Sequence, residues 1–269
     1  MTTERILRFF LANTGRHVCQ VLLLGICLMI HGPVQAVDSS HFDWQPWEAL
    51  LQKYVTPGAY DGIASNLVDY QALSREKSFF GIAKALKKYD PSSLRGDEKE
   101  AFYINAYNYF AARLIVTHWP VDSIRDIGNL FWPVWYHDAG NINGHDISLN
   151  EIEHEILIPM GDPRIHFAIV CASMSCPNLR REAYDGGRLN EQLAQQISEL
   201  VNNPDKGVHI SDGVLTVSAL FDWFQEDFDA QGGVVKFLRQ YRELPDTINA
   251  VEYMPYNWHV NAISKSDRK

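Results

Sequence analysis

Apolar residues recur three and four apart through the first part of the chain and two apart, or without interruption, further on, and this change of period sets the expected architecture. Trp47, Leu50, Leu51 and Tyr54 share one helical face, and Phe79, Ile82, Leu86 and Tyr89 share another. Residues 97–117 read as a longer helix whose middle, AFYINAYNYFAARLIV, is apolar nearly all round. A helix without a polar face belongs inside a fold. Asn105 and Asn108 stand three apart in it, so their amides should meet one polar pocket or pin a neighbouring loop.

Strands are expected next. Residues 134–138 and 147–149 flank Asn143-Gly144, a pair that tolerates positive φ and suits a tight hairpin. Ser148 and Glu151 form an S-x-x-E capping box, which predicts a short helix over 150–158 that stops before Pro159. Residues 165–171, IHFAIVC, are short and continuously apolar, the pattern of a buried central strand. A helix seeded near Asn190 carries Leu189, Leu193, Ile197 and Leu200 on one face. A second hairpin, 208–210 with 214–217, turns at Ser211-Asp212-Gly213. Ser218 is placed to cap the helix ALFDWFQEDF, and 234–244 supplies a last amphipathic helix.

Helices and hairpins without regular βαβ alternation indicate an α+β fold: a single domain, its helical N-terminal part packed on a small, mainly antiparallel sheet with hairpins. No linker, repeat or low-complexity tract divides residues 37–269, so one domain is the simplest count.

The first 36 residues follow a different pattern. Arg5, Arg8 and Arg16 precede or flank the start of an apolar run over 18–30, and Val34-Gln35-Ala36 is a small-residue exit, the layout of an export signal cleaved near Ala36. The run is shorter than the ~20 residues that span a bilayer, so no stable membrane anchor is expected after cleavage, and the expected location is periplasmic or secreted. Loss of Cys19 and Cys27 would leave Cys171 and Cys176 where thiols tend to oxidise. The net charge of −9, from 24 Lys and Arg against 33 Asp and Glu, repels phosphate backbones and argues against nucleic acid or an anionic membrane as partner.

Candidate chemistry gathers in RIHFAIVCASMSCP, residues 164–177. Pro177 favours the first position of a helix, which would set the Cys176 sulfur at an N-cap with Arg180 and Arg181 about one turn on, an arrangement that stabilises a thiolate. A nucleophilic thiol needs a base within hydrogen-bond reach, and His154 and His166 are the local imidazoles. Strand alternation would place His166 and Cys171 on opposite faces. Asn105 or Asn108 would then orient the imidazole or bind an oxyanion. The opposing reading is structural: a Cys171–Cys176 disulfide would close the loop 172–175 and withdraw both sulfurs from nucleophilic work, unless exchange itself is the function.

His145, His154, His166, Cys171 and Cys176 are ligand types, but their spacings match no zinc pattern, and no metal is expected. Nor is a cofactor, because the chain has no P-loop, dinucleotide fingerprint, G-x-S-x-G elbow or H-E-x-x-H. The clusters Trp132, Trp135, Tyr136 and Phe221, Trp223, Phe228 suit a ligand cleft as well as a core, and core packing is the simpler account.

Five motifs in order, AFYINAYNYF, SLNEIEHEIL, DPRIHFAIVCASMSCPNL, LFDWFQEDF and YMPYNWHVN, resemble the domain-of-unknown-function family 547 over about residues 69–261. That family pattern lands on Asn105, Tyr107 and Asn108, on Glu153 and His154, on Arg164, His166, Cys171, Ser173, Cys176 and Pro177, and on Phe221 and Trp223. The resemblance implies a self-contained domain with one concentrated polar signature and brings no reaction with it. Arg164, Ser173 and Tyr107 are the candidates for substrate contact. The leading functional expectation is an exported thiol hydrolase or acyl transferase acting on an amide or ester, with Cys176 as nucleophile, His166 or His154 as base and Asn105 or Asn108 as orienter. The alternative is a non-catalytic periplasmic binding or interaction domain stapled by Cys171–Cys176. Either would take a small-molecule or peptide-like ligand.

Overall fold

The periodic N-terminal segments fold as the pattern indicates. The computed structural model describes residues 41–263, so the expected export signal and its cleavage point at Ala36 lie outside the described residues. Helix α1 (Gln45–Tyr54) buries Trp47, Leu50 and Leu51. It runs directly into an antiparallel hairpin that periodicity does not reveal, β1 (Val55–Tyr60) and β2 (Ile63–Val68), with Tyr60 opposite Ile63. Asp61-Gly62 makes its turn at φ 51° and 79°, and this dipeptide is the signal that marks it. Pro57, Gly58 and a mostly exposed β1 mask the strand pattern.

Asp69 caps the short helix α2 (Tyr70–Leu73) by accepting from the Ala72 N–H at 2.9 Å. Helix α3 (Lys77–Leu86) buries Phe79, Ile82 and Leu86. Helix α4 (Gly96–His118) is the axis of the molecule, buried without a break over 101–112. That explains its lack of a polar face: every side of it packs against another element.

The next hairpin, β3 (Asp138–Ile142) and β4 (His145–Ser148), turns on Asn143-Gly144 as expected, at φ 51° and 83°. Its first strand begins four residues later than the apolar run, because Val134–Tyr136 forms a 3-10 turn behind Pro133. A Cβ on Gly140 would overlap the Phe110 ring, which is how β3 lies directly on α4. The Ser148 hydroxyl accepts from the Glu151 N–H at 3.0 Å and starts a helical stretch of π type, Glu151–Leu157. It continues through Pro159 as a 3-10 turn (Ile158–Met160) before Gly161 ends it at φ 81°.

Two expectations around the cysteines are overturned. Residues 165–171 are not a strand: Pro163–Phe167 form a 3-10 helix, and the chain then runs irregularly to Cys171. Asp162 caps that helix through the Arg164 N–H at 2.9 Å, and Pro163 sits in its first turn, so local start signals win. A continuous apolar run reports burial on all sides and cannot by itself distinguish strand from other buried backbone. No helix follows Cys176-Pro177 either, since residues 177–185 are irregular and α5 (Leu189–Val201) starts later.

The C-terminal part holds β5 (Val208–Ser211), β6 (Val214–Val217), α6 (Leu220–Trp223), α7 (Gln225–Asp229), α8 (Val234–Leu238) and β7 (Ala250–Tyr253). The expected single helix over 219–228 is broken at Phe224, and the last helix ends at Leu238 rather than 244. The fold is α+β, with strands in small separate sheets: two hairpins, and β5-β6-β7 with β7 parallel to β6. One apolar cluster surrounds α4, and a second gathers Phe167, Phe221, Phe228 and Phe237 with β5 and β6. Residues 163–177 pass between these clusters and are buried there almost throughout.

Candidate functional site

A buried irregular segment must find partners for its peptide groups outside any ladder. Carboxamides on the two flanking helices provide them. Asn108 of α4 donates to Ala168 O at 2.9 Å and accepts from the Val170 N–H at 2.8 Å. Asn105 does the same for both groups of Tyr184, each at 2.8 Å. Gln192 of α5 donates to Ala183 O and accepts from the Asp185 N–H, both at 2.9 Å. Gln196 donates to Phe167 O and Asn178 O. Asn105 and Asn108 therefore neither orient an imidazole nor point at an oxyanion site. Asn108 pins the segment that carries the cysteines, and Asn105 pins the irregular stretch that follows it.

Past Val170 the chain turns through Ala172, which stands at φ 62°, a left-handed conformation unfavourable for alanine. The turn folds Cys176 back beside Cys171, and the two sulfurs lie 2.6 Å apart as free thiols. The disulfide staple is thus not formed, although the loop 172–175 does bring the sulfurs together. The Cys171 N–H donates to the Cys176 sulfur at 3.1 Å, and the Tyr256 hydroxyl is hydrogen-bonded to it at 3.1 Å. Burial pushes the Cys176 thiol up, but hydrogen bonds from Cys171, Tyr256 and backbone N–H groups outweigh it and bring it down to about 7. Cys171 is pushed well above the usual thiol range, first by its hydrogen bond to Cys176 and then by burial. The pair behaves as one unit that gives up a first proton readily and a second with difficulty.

These hydrogen bonds replace the expected helix N-terminus. Arg180 and Arg181 take no part, since Arg180 is engaged with Gln195, Glu182 and Gln192 O, and Arg181 with Gln52 O. Tyr256 reaches the sulfurs because residues 257–261 run beside 172–175, with Met174 N–H donating to His259 O at 2.8 Å and Asn261 N–H to Ala172 O at 2.9 Å.

Both sulfurs face a cleft of about 390 Å³ walled by Trp135, Tyr136, Trp223, Phe224, Tyr256 and Trp258. Trp223 stacks on Trp258 at 5.5 Å between ring centres, and Trp135 meets Trp258 edge-on at 5.6 Å. The expected aromatic clusters thus divide: Trp135, Tyr136 and Trp223 line the cleft, while Phe221 and Phe228 are core.

His154 and His166 lie on the same wall. The irregular path after Phe167, replacing the expected strand, lets His166 share the cleft with Cys171. His166 is buried, stacked on Phe224 at 3.7 Å, and its Nε2 donates to the Asp227 carboxylate at 2.7 Å. With the hydrogen on Nε2, Nδ1 carries the lone pair, and Nδ1 is buried without a hydrogen-bond partner among the described residues. Burial holds His166 below the usual histidine value, against the pull of Asp227. Glu153, also on this wall, accepts from the Tyr107 hydroxyl at 3.1 Å. Burial raises its carboxyl to about 7 despite that hydrogen bond.

Of the residues expected from sequence, Cys176, His166, His154 and Tyr107 meet at the cleft. Ser173 is buried behind the sulfurs, with Cys171 donating to its Oγ at 3.5 Å. Arg164 is held by Asp162 at 2.6 Å and Asn190 at 2.7 Å and does not line the cleft. Lys206 carries no local signal, and Asp227, Tyr256 and Trp258 lie in two of the resembling motifs without a role assigned to them, because their distance along the chain hides their proximity to the cysteines. Glu153 lay in the resembling motif, and a carboxylate one residue from an apolar position in a buried helix was its signal.

Residues 91–201 match the model of a family described as a protein of unknown function, DUF547, a shorter stretch than the 69–261 suggested by the motifs. No curated protein and no solved structure matches the chain.

Proposed function

Because this chain belongs, over residues 91–201, to the DUF547 family, whose description assigns no reaction, we propose from its cleft that it is a dithiol protein exchanging disulfides with a ligand held between the aromatic walls. The observation that carries this reading is the pair of sulfurs 2.6 Å apart on the cleft wall. A disulfide is about 2.05 Å long, so closing it needs a movement of under about 1 Å. In the exchange, the Cys176 thiolate attacks one sulfur of a ligand disulfide, forms a mixed disulfide and expels the other sulfur as a thiolate. Cys171 then loses its proton and attacks the Cys176 sulfur, closing the internal disulfide and expelling the second ligand thiolate. The ligand gains two electrons and the two protons that the cysteines lose, and the protein is oxidised by the same amount. Glu153, half-protonated near neutral pH on the same wall, suits the transfer of the Cys171 proton.

The ligand class is a small molecule or peptide-like segment with an apolar flank that stacks on Trp223 and Trp258. The export expected from residues 1–36 would place the pair in an oxidising compartment, where such exchange has partners. Glutathione disulfide tests the reading. Reduced protein should lose the Cys171 and Cys176 thiols together, and Cys171→Ser should accumulate a mixed disulfide at Cys176. Wild-type protein in which Cys171 and Cys176 both stay alkylatable, with no adduct on Cys171→Ser, would overturn it.

One observation favours a second reading, thiol-dependent acyl transfer or hydrolysis. The Asp227–His166 pair leaves an unpartnered imidazole lone pair on a residue of the cleft wall, the arrangement of a general base with its orienting carboxylate. Under that reading, Asp227→Asn and Cys176→Ser should each abolish turnover of an activated ester. An ester turnover unchanged by Cys176→Ser would end it.

A further inference from the structure

Lys206 is buried to 2% exposure, and its ammonium donates to three uncharged acceptors: Ser65 Oγ at 2.9 Å, Asn178 Oδ1 at 2.9 Å and the Cys176 carbonyl at 2.8 Å. A buried ammonium is costly unless an anion balances it, and none of these acceptors is one. The third hydrogen bond ends on the nucleophile's own residue. Covalent dimensions keep the ammonium within roughly 8 Å of that residue's sulfur.

We propose that Lys206 is a positioning residue of the dithiol, its ammonium acting as counter-ion to the Cys176 thiolate while its hydrogen bond holds the Cys176-Pro177 peptide in place. The inference rests on the exchange reading and adds the source of positive charge that the missing helix N-terminus and the diverted Arg180 and Arg181 do not supply. Burial brings Lys206 down to about 8, and Cys176 is the first of the charges that pull it back up, Glu199 being the second. Between about pH 7 and 8 the ammonium and the thiolate coexist.

The other ionisable groups around the sulfurs are Cys171, Tyr256, Tyr107, Tyr70 and Glu153, all of which can add only negative charge. Of the two imidazoles on the wall, burial disfavours the charged form of His166, and His154 is exposed to solvent screening. Lys206 is therefore the buried cation best placed to act on the thiolate.

The test is the pH profile of Cys176 alkylation in reduced protein, read by mass on the peptide that carries it. Lys206→Gln, which keeps a donor but removes the charge, should move the midpoint up by about one pH unit, roughly tenfold less thiolate at a given pH below it. Ser65→Ala, which removes one lysine acceptor and no charge, should leave the midpoint in place. An unmoved midpoint in Lys206→Gln, or an equal shift in Ser65→Ala, overturns the proposal. If Lys206→Gln does not fold, NMR titration of the Lys206 ε-methylene in wild-type protein decides. Coupling is reciprocal, so oxidising the pair should lower the lysine midpoint by a similar amount, and no change would refute it. A protein that shows this coupling but exchanges nothing with glutathione disulfide would retain the Lys206 assignment and lose the exchange reading.

Discussion

Helix α4 and the segment 163–177 are neighbours, buried to a similar depth, and built on opposite principles. Helix α4 satisfies its own backbone and needs its neighbours only for packing. Beyond its 3-10 turn the cysteine segment has no regular structure, and carboxamides of other elements, Asn108 and Gln196, satisfy part of its backbone, with strand-like help from residues 257–261. A reactive pair can thus sit on irregular backbone inside the molecule, provided that carboxamides do the work of a missing strand. The consequence is a division of sensitivity. Substitutions on α4 should act through volume, and those on the cysteine segment through unsatisfied hydrogen bonds and backbone strain.

The sharpest way to break this contrast is a pair of substitutions on α4 itself. Asn108→Leu keeps the approximate size but strips partners from Ala168 O and the Val170 N–H, each worth about 1–3 kcal/mol when left buried and unpaired, so a loss of about 4 kcal/mol is expected. Ile104→Val, on the same buried helix, should cost about 1 kcal/mol. Chemical denaturation compares them, and equal losses would contradict the division.

A somewhat smaller effect concerns pH. The Glu153 carboxyl is raised in the folded protein from its ordinary 4.5 to about 7, so between those values the folded state holds more protons than the unfolded one. Stability contributed by this group is therefore full below about pH 4.5 and is lost as pH rises through 7, by ~3 kcal/mol in all. Glu153→Gln should remove that slope and melt higher than wild type at pH 8, with little difference at pH 4. Parallel melting curves for the two proteins across this range would show that the carboxyl is not held as described.

The smallest effect changes sign between the regions. Ala172→Gly relieves a positive φ and should stabilise by up to about 1 kcal/mol, whereas Ala106→Gly within α4 should destabilise by about 1 kcal/mol or more. Thermal melts on the two variants read both signs, and a loss at position 172 would mean that the left-handed turn is not strained.

The same contrast explains what the amino-acid pattern reveals. Elements that satisfy themselves are legible: α1, α3, α4 and α5 follow their apolar spacing, and the Asn143-Gly144 and Asp212-Gly213 turns follow their dipeptides. The cysteine segment is apolar for the same reason a central strand is, because it is enclosed, and nothing local tells which backbone shape is enclosed. Its composition is legible as a site all the same: Cys171, Cys176, His166 and His154 do share a cleft. The partners that define their chemistry, Asp227, Tyr256 and Lys206, arrive from distant parts of the chain, and only the folded backbone brings them in.

The proposed exchange depends on Cys171 and Cys176 acting as one two-electron unit. Equilibrating the protein across a series of glutathione redox poises, quenching with acid, alkylating and counting labels by mass on the peptide that carries Cys171 and Cys176 reads this pair apart from Cys19 and Cys27. That peptide should pass from two labels to none at a single midpoint, with a two-electron slope and little singly labelled form between. Two independent midpoints, or thiols that stay labelled at every poise, would contradict it.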